Sequence, residues 1–387
     1  MRFGVDATGW GNRRGFGRFT RNAVTRLVAR DADVEYVLVV DRETASRPDL
    51  PASASMRVVD TSRPPLDGAA EGSRRGTADL LRLGRAVRAE RLDAMLFPSL
   101  HTWYPPLGTP ALVGLHDTIA HDFPQLAHPA ARDRLAWRLK ERLAVRGSRM
   151  IFAVSHASRD AVCSRYGLDP ESVAIVPEAP DPVFTPRDGA AVAEARLAFG
   201  LPKRYLVYAA GISPHKNVEG LVDAYAGLAR EVADAPPLVL AGGLEEETFA
   251  SASGAVRQRI AEYRLEDRVL LPGFVADEAL ARLYSGALVV VNPSLAEGFG
   301  LPAVEAAACG APLVLSDLPA HRETIGDAAL FAPPGDVPAL TRALLTMLRD
   351  DSLRASLAVR AQAAVAARTW DAAADALASL LRRAVRR

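Results

Sequence analysis

The chain has 387 residues, long enough for two domains with separate cores. Its 47 basic residues nearly balance 46 acidic ones, which argues against a general nucleic-acid binder and leaves only local patches for charged partners. Cys163 and Cys309 sit in no metal-ligand spacing, which points to a reducing, cytoplasmic setting, and no apolar run approaches the roughly 18 residues of a membrane span.

In chain order, short apolar strands alternate with helical stretches. The opening Met-Arg-Phe-Gly-Val-Asp lacks the apolar core of a secretory leader and reads as a strand, Arg2–Asp6. Further strands are expected at Tyr36–Val40, Ala94–Phe97, Ala111–Leu115, Met150–Ala153 and Val173–Val176, with helices such as Phe16–Ala29 and Ser155–Tyr166 between them. The second half repeats the alternation at Tyr205–Ala209, Leu238–Ala241, Val269–Leu271, Ala287–Val291 and Pro312–Leu315. The pattern predicts an α/β protein made of two Rossmann-like, doubly wound parallel-sheet domains. Prolines at 177, 180, 182 and 186 mark the break. The expected organisation is a first domain over 1–180, a linker over 181–192, a second domain over 193–370 and terminal helices beyond Trp370.

In open parallel sheets, ligands bind beyond the carboxyl ends of the strands, so the loops there carry the chemistry. After the first strand, Gly9-Trp-Gly-Asn-Arg-Arg-Gly-Phe-Gly-Arg18 can wrap a phosphate through Gly15 and Gly17, or form a plain surface loop. Gly15-Phe-Gly-Arg-Phe-Thr20 also nearly matches a dinucleotide fingerprint, with Asp41 as the ribose acid of an oxidoreductase. Thr20 in place of the third glycine, and the distance from Asp6, count against that reading. His116-Asp117 follows a strand, where an imidazole can donate to a sugar hydroxyl or a developing charge. His101, His116, His121 and Asp117 match no compact ligand set, so no metal site is expected.

In the second half, Gly211-Ile-Ser-Pro-His-Lys-Asn217 places Lys216 just before a helix, where it can reach a diphosphate. The backbone of Gly273, Phe274 and Val275 can frame a flat nucleobase. Asn292-Pro-Ser-Leu-Ala-Glu-Gly-Phe-Gly-Leu-Pro-Ala-Val-Glu305 is the densest signal. An apolar strand, a turn bent by Gly298 and Gly300, and a helix opened by Pro302 form a seat for an anion. Glu297 and Glu305, seven residues apart, can accept hydrogen bonds from ligand hydroxyls. Glu305 is expected in the first helical turn, kept ionised by the helix dipole.

Together these residues resemble glycosyltransferase family 4. The likeness is densest from Leu271 to Pro333 and includes Leu271-Pro-Gly-Phe-Val, the two-glutamate segment, Ala308-Cys-Gly-Ala-Pro and Gly326-Asp-Ala-Ala-Leu-Phe. Pro214-His-Lys-Asn, Leu115-His-Asp and Gly15-Phe-Gly-Arg-Phe-Thr extend it over nearly the whole chain. The resemblance implies a retaining enzyme of the GT-B type, its two domains facing across a cleft and the terminal helix 371–387 completing the first. It implies a nucleotide-diphosphate sugar as donor and an acceptor hydroxyl of a polysaccharide, lipid-linked or natural-product molecule, with no cofactor and no metal. Lys216 would hold the diphosphate and Glu305 the ribose. Glu297 with the backbone of Gly298, Phe299 and Gly300 would meet the donor sugar, and the N–H groups near Gly300 and Leu301 the charge of the leaving group. His116 would line the sugar and acceptor side, with Glu297 the other catalytic residue, and Gly15 and Gly17 would face the diphosphate. One departure is His215, where many relatives carry an arginine beside the lysine; Arg18 is the substitute considered. Asp31-Ala-Asp33 resembles the D-x-D metal motif of another glycosyltransferase fold, but it precedes a strand and reads as a turn. A nucleotide-sugar-binding protein without activity, or an epimerase of the same fold, is the alternative. The loop Thr61–Gly76 reads as mobile. The basic helix 129–149 offers a possible peripheral contact with the inner face of a membrane, against the plainer reading of a solvated surface helix. Oligomeric state stays open.

Overall fold

The structure is a computed structural model, and it describes residues 1–12, 15–30, 33–62, 76–124, 130–242 and 250–386. Two expected features lie largely outside these: the Asp31–Asp33 turn and the loop Thr61–Gly76. Two compact units divide the chain. The first comprises Met1–Glu178 with Thr369–Arg387, and the second comprises Ala179–Arg368.

The first unit holds a seven-stranded sheet in the order β3-β2-β1-β4-β5-β6-β7. Its strands are β1 (Arg2–Asp6), β2 (Glu35–Val40), β3 (Ser55–Val58), β4 (Ala94–Phe97), β5 (Ala111–Gly114), β6 (Met150–Ala153) and β7 (Val173–Ile175). The second unit holds a six-stranded sheet in the order β10-β9-β8-β11-β12-β13. These strands are β8 (Leu206–Ala209), β9 (Leu238–Ala241), β10 (Val269–Gly273), β11 (Val289–Asn292), β12 (Leu313–Ser316) and β13 (Leu330–Ala332). Every pairing in both sheets is parallel, with β8 seated between β9 and β11 (Leu206 opposite both Leu238 and Val289). Parallel strands covered on both faces need apolar side chains at successive positions. Accordingly β4, β5, β6, β8, β9, β11 and β12 are buried along their full length.

Two strands, β3 and β13, go beyond those expected from the sequence. Both are edge strands, paired on one side only. Ser55–Val58 is exposed throughout and contains Ser55 and Arg57, and Leu330–Ala332 is three residues long. Ser55–Val58 lacks the continuous apolar run of a central strand, whereas Leu330-Phe331-Ala332 is apolar but too short to stand out from the apolar helices around it. Pro272 stands inside β10, also an edge strand, where its missing N–H breaks no ladder.

The helix Trp370–Arg386 packs on the helix Gly15–Arg30 within the first unit. Trp370 meets Phe19 edge-on at 5.9 Å, and Arg30 pairs with Asp371 at 2.8 Å and Asp375 at 3.0 Å. The proline-rich segment carries no regular structure from Val176 to Asp188. The expected linker then overruns a helix, Gly189–Ala198, whose start is capped by Asp188 accepting from the Ala191 N–H.

Candidate functional site

In both sheets the strand order reverses between the first and fourth strands of the unit, and the crevice at such a reversal is where doubly wound sheets bind ligands. In the second unit the reversal falls between β8 and β11. The loop after β8 carries Lys216, and the loop after β11 carries Glu297.

The structure joins these two loops directly. Lys216 Nζ donates to Glu297 Oε1 at 2.7 Å, with side-chain exposures of 15% and 7%. Two further bonds tie the same loops: the Leu295 N–H to the His215 carbonyl at 2.7 Å, and Asn217 Nδ2 to the Pro293 carbonyl at 3.2 Å. Ser294 Oγ also donates to Glu297 Oε1 at 2.7 Å, and Asn292 Nδ2 approaches the same oxygen at 3.4 Å. Burial pushes the Glu297 carboxyl up, yet the charge of Lys216 and the donors around it win and hold it at about 2. The carboxylate is therefore ionised at neutral pH. The ammonium has three donors and Glu297 takes one, so the lysine keeps capacity for an anionic ligand.

The glycine turn is built from the other side by His321, a residue not among those expected from the sequence. It lies on the helix Pro319–Ile325, just beyond the end of β12, and is fully buried. Nδ1–H donates to the Ser316 carbonyl at 2.8 Å. Among the described residues Nε2 has no hydrogen-bond partner. Burial depresses the His321 pKa against the pull of Glu297, so the ring is neutral at pH 7. Gly300 has φ +88°, and a Cβ there would come within 2.8 Å of His321 Cδ2. Only glycine satisfies both the backbone and the ring. Arg368 stands over the Phe299 ring at 5.5 Å, a second support for the turn. A strand-end histidine was the available signal for His321, the same one that singled out His116.

Several expectations need correction here. The helix runs Leu301–Ala308 with Gly300 as its cap, so Pro302 is its second residue and not its first. Because Pro302 has no N–H, the helix start offers fewer donors to an anion than expected. Glu305 is the fifth residue, beyond the first turn where the dipole acts most strongly. It is buried, at 4% exposure. Gly273 ends β10 with φ +74°, and its carbonyl accepts from the Gly242 N–H at 2.9 Å. Phe274 is exposed and Val275 buried. These three follow β10, two strands from β8 in the sheet.

In the first unit His116 follows β5. Its Nε2–H donates to the Pro98 carbonyl at 2.8 Å, and Nδ1 stands 3.7 Å from Glu178 Oε1. Phe19 packs edge-on to the ring at 4.8 Å. Burial pushes the His116 pKa down to about 4, so the imidazole is neutral. The helix expected over Phe16–Ala29 runs Gly15–Arg30, so Gly15 joins Gly17 in its first turn. A Cβ on Gly17 would fall 2.0 Å from the Asn12 carbonyl oxygen, so that glycine serves the chain's own close approach. Asp41 caps a short helix by accepting from the Thr44 N–H at 2.7 Å, which accounts for it without a ribose. Among the described residues no three His, Cys, Asp or Glu side chains gather to hold a metal ion.

Residues 13–184 match the family described as Glycosyltransferase Family 4, and residues 193–364 match Glycosyl transferases group 1. Over 265 residues the chain is 31% identical to the O-antigen chain mannosyltransferase B of Escherichia coli, covering 67% of each protein. The chain belongs to glycosyltransferase family 4. It is thus a glycosyltransferase, of the hexosyltransferase class, and the oxidoreductase reading falls away. A 224-residue match at 31% identity to the serotype-specific mannosyltransferase WbdA of Escherichia coli covers 57% of this chain and 27% of that protein. The solved structure of HepE from Anabaena with UDP-glucose shares the GT-B fold with this family 4 chain, at TM-score 0.76 and 20% identity, covering 99% of both chains.

Proposed function

We propose that the enzyme moves a sugar from a nucleotide-diphosphate sugar to an acceptor hydroxyl with retained anomeric configuration. The observation that carries this reading is the Lys216–Glu297 contact of 2.7 Å at the strand-order reversal of the second unit. A cation beside a carboxylate suits a leaving diphosphate and the hydroxyls of the departing sugar. The relatives named as mannosyltransferases, and a fold neighbour solved with UDP-glucose, support a hexose on a nucleoside diphosphate.

On this reading Lys216 and the N–H groups near Gly300 and Leu301 stabilise the negative charge that grows as the glycosidic bond breaks. Glu297, held ionised, orients the donor sugar, and Glu305 takes the ribose hydroxyls. No side chain is assigned as general base: the departing phosphate oxygen takes the acceptor proton on the face it leaves. No metal or cofactor enters the scheme. His116, Gly15 and Gly17 of the first unit are assigned to the acceptor side and the diphosphate loop, with Arg18 as the second phosphate cation. Gly273, Phe274 and Val275 are assigned to the base. Two buried free cysteines fit the reducing cytoplasm as the place of work.

Titration calorimetry with nucleoside diphosphates tests the assignment. Glu305→Ala is expected to weaken binding at least about tenfold, the scale of one lost charged hydrogen bond. His116→Ala is expected to slow transfer with donor affinity kept. Equal nucleotide affinity in Glu305→Ala and parent would overturn the donor seat.

A further inference from the structure

The helix Ala131–Gly147 has two unlike faces. Inward, Glu141 and Ala144 are buried, and Trp137 Nε1–H donates to Glu141 Oε1 at 2.7 Å. Lys140 turns back to the unit, donating to the His101 carbonyl at 2.7 Å. Outward, Leu135, Leu139 and Leu143 are 70%, 57% and 49% exposed. Their spacing of four puts them in one row along the helix. Arg132, Arg138, Arg142 and Arg146 are exposed beside that row. The helix has two acids, and neither belongs to the outward face: Glu141 is buried, and Asp133 is half-buried beside Arg132 at 3.7 Å.

A row of exposed leucines is costly in water, and an arginine border with one half-buried acid, Asp133 beside Arg132, is costly beside another cation. One occupant relieves both. We propose that this face lies on an anionic lipid bilayer, with the leucines entering the acyl boundary and the guanidinium groups at the level of the lipid phosphates. Arginine stems lie along apolar surface while their heads stay at the polar boundary, which suits this border. A second copy of the chain fits less well. A two-fold contact would set arginine row against arginine row with only the half-buried Asp133 on each side. No helix among the described residues is long and apolar enough to cross a membrane, so the contact is in the plane of the surface. This inference does not depend on the sugar donor or on the transfer chemistry.

Vesicle flotation of the full chain tests it. The chain is expected to float with vesicles of phosphatidylcholine containing about one third phosphatidylglycerol, at least roughly tenfold more than with phosphatidylcholine alone. The variant carrying Leu135→Ser, Leu139→Ser and Leu143→Ser is expected to lose that binding at least about tenfold, with its melting temperature and its thermal shift on nucleoside diphosphate unchanged. Replacing Arg132, Arg138, Arg142 and Arg146 by Gln is expected to remove the preference for the anionic lipid. Undiminished binding by the serine variant, no preference for anionic vesicles, or a parent dimer that the serine variant turns into a monomer would each overturn the proposal. The nucleotide thermal shift reads the donor site separately, so failure there leaves this result standing.

Discussion

At the scale of single residues, two buried titratable groups make the protein acid-labile for opposite reasons of charge. His116 is held neutral, with its pKa pushed down by burial to about 4 from an ordinary 6.5. Between those values the unfolded chain binds a proton that the folded chain refuses, so stability falls as pH drops, by about 3 kcal/mol in all. Glu297 is held ionised at about 2 from an ordinary 4.5. Its contribution is complete above the unfolded value and is lost as pH falls from there towards 2. Thermal melts across pH are therefore expected to show a first decline below about pH 6.5 and a second below about pH 4.5. His116→Gln should shrink the first decline, leaving the share of the buried, neutral His321, and should leave the second decline unchanged. An unchanged first decline in that variant would remove His116 from the account.

At the scale of elements, the turn from Glu297 to Leu301 is held by its neighbours and not by its own sequence alone. Gly300 carries a positive φ of 88° and leaves room for the buried His321 ring. Gly300→Ala is expected to destabilise the protein by about 1–3 kcal/mol, combining backbone strain with the clash. Adding His321→Ala removes the clash and keeps the strain, so the double variant should recover part of the loss. Denaturant titration of the four proteins in that cycle measures the coupling. Strict additivity would show that the ring does not constrain the turn. The glycines and both glutamates were legible in the sequence because their types and spacing announce a turn before a helix. His321 carried only the weak signal of a histidine after a strand, because its role comes from packing across β11 and β12, two elements that only the sheet sets side by side. The same holds for the Lys216–Glu297 bond: each residue could be singled out alone, but 81 positions separate them.

At the scale of the whole molecule, the chain's last helix returns to its first unit. Trp370 is 2% exposed, and Leu377, Leu380 and Leu381 are buried beside it. The first unit's core therefore includes residues that follow the entire second unit in sequence. Trp370→Ala is expected to cost about 3–5 kcal/mol, as for a large buried aromatic. Limited proteolysis should then cut first within Met1–Glu178, with fragments of Ala179–Arg368 persisting. Earlier cleavage of the second unit would show that the helix belongs energetically elsewhere.

Read by itself, the sequence determined the alternation of strand and helix, the parallel sheets and the family, and it singled out loops at the strand ends as candidates for the chemistry. These follow from local periodicity and from residue types that few backbones tolerate. Tertiary structure decided the rest: the edge strands β3 and β13, the helix register that moves Glu305 out of the first turn, the close approach of Gly17 to the Asn12 carbonyl, and the pairing of Lys216 with Glu297. The pairings among these depend on distances between segments far apart in the chain, and a contact energy is defined only once the sheet order has placed both partners.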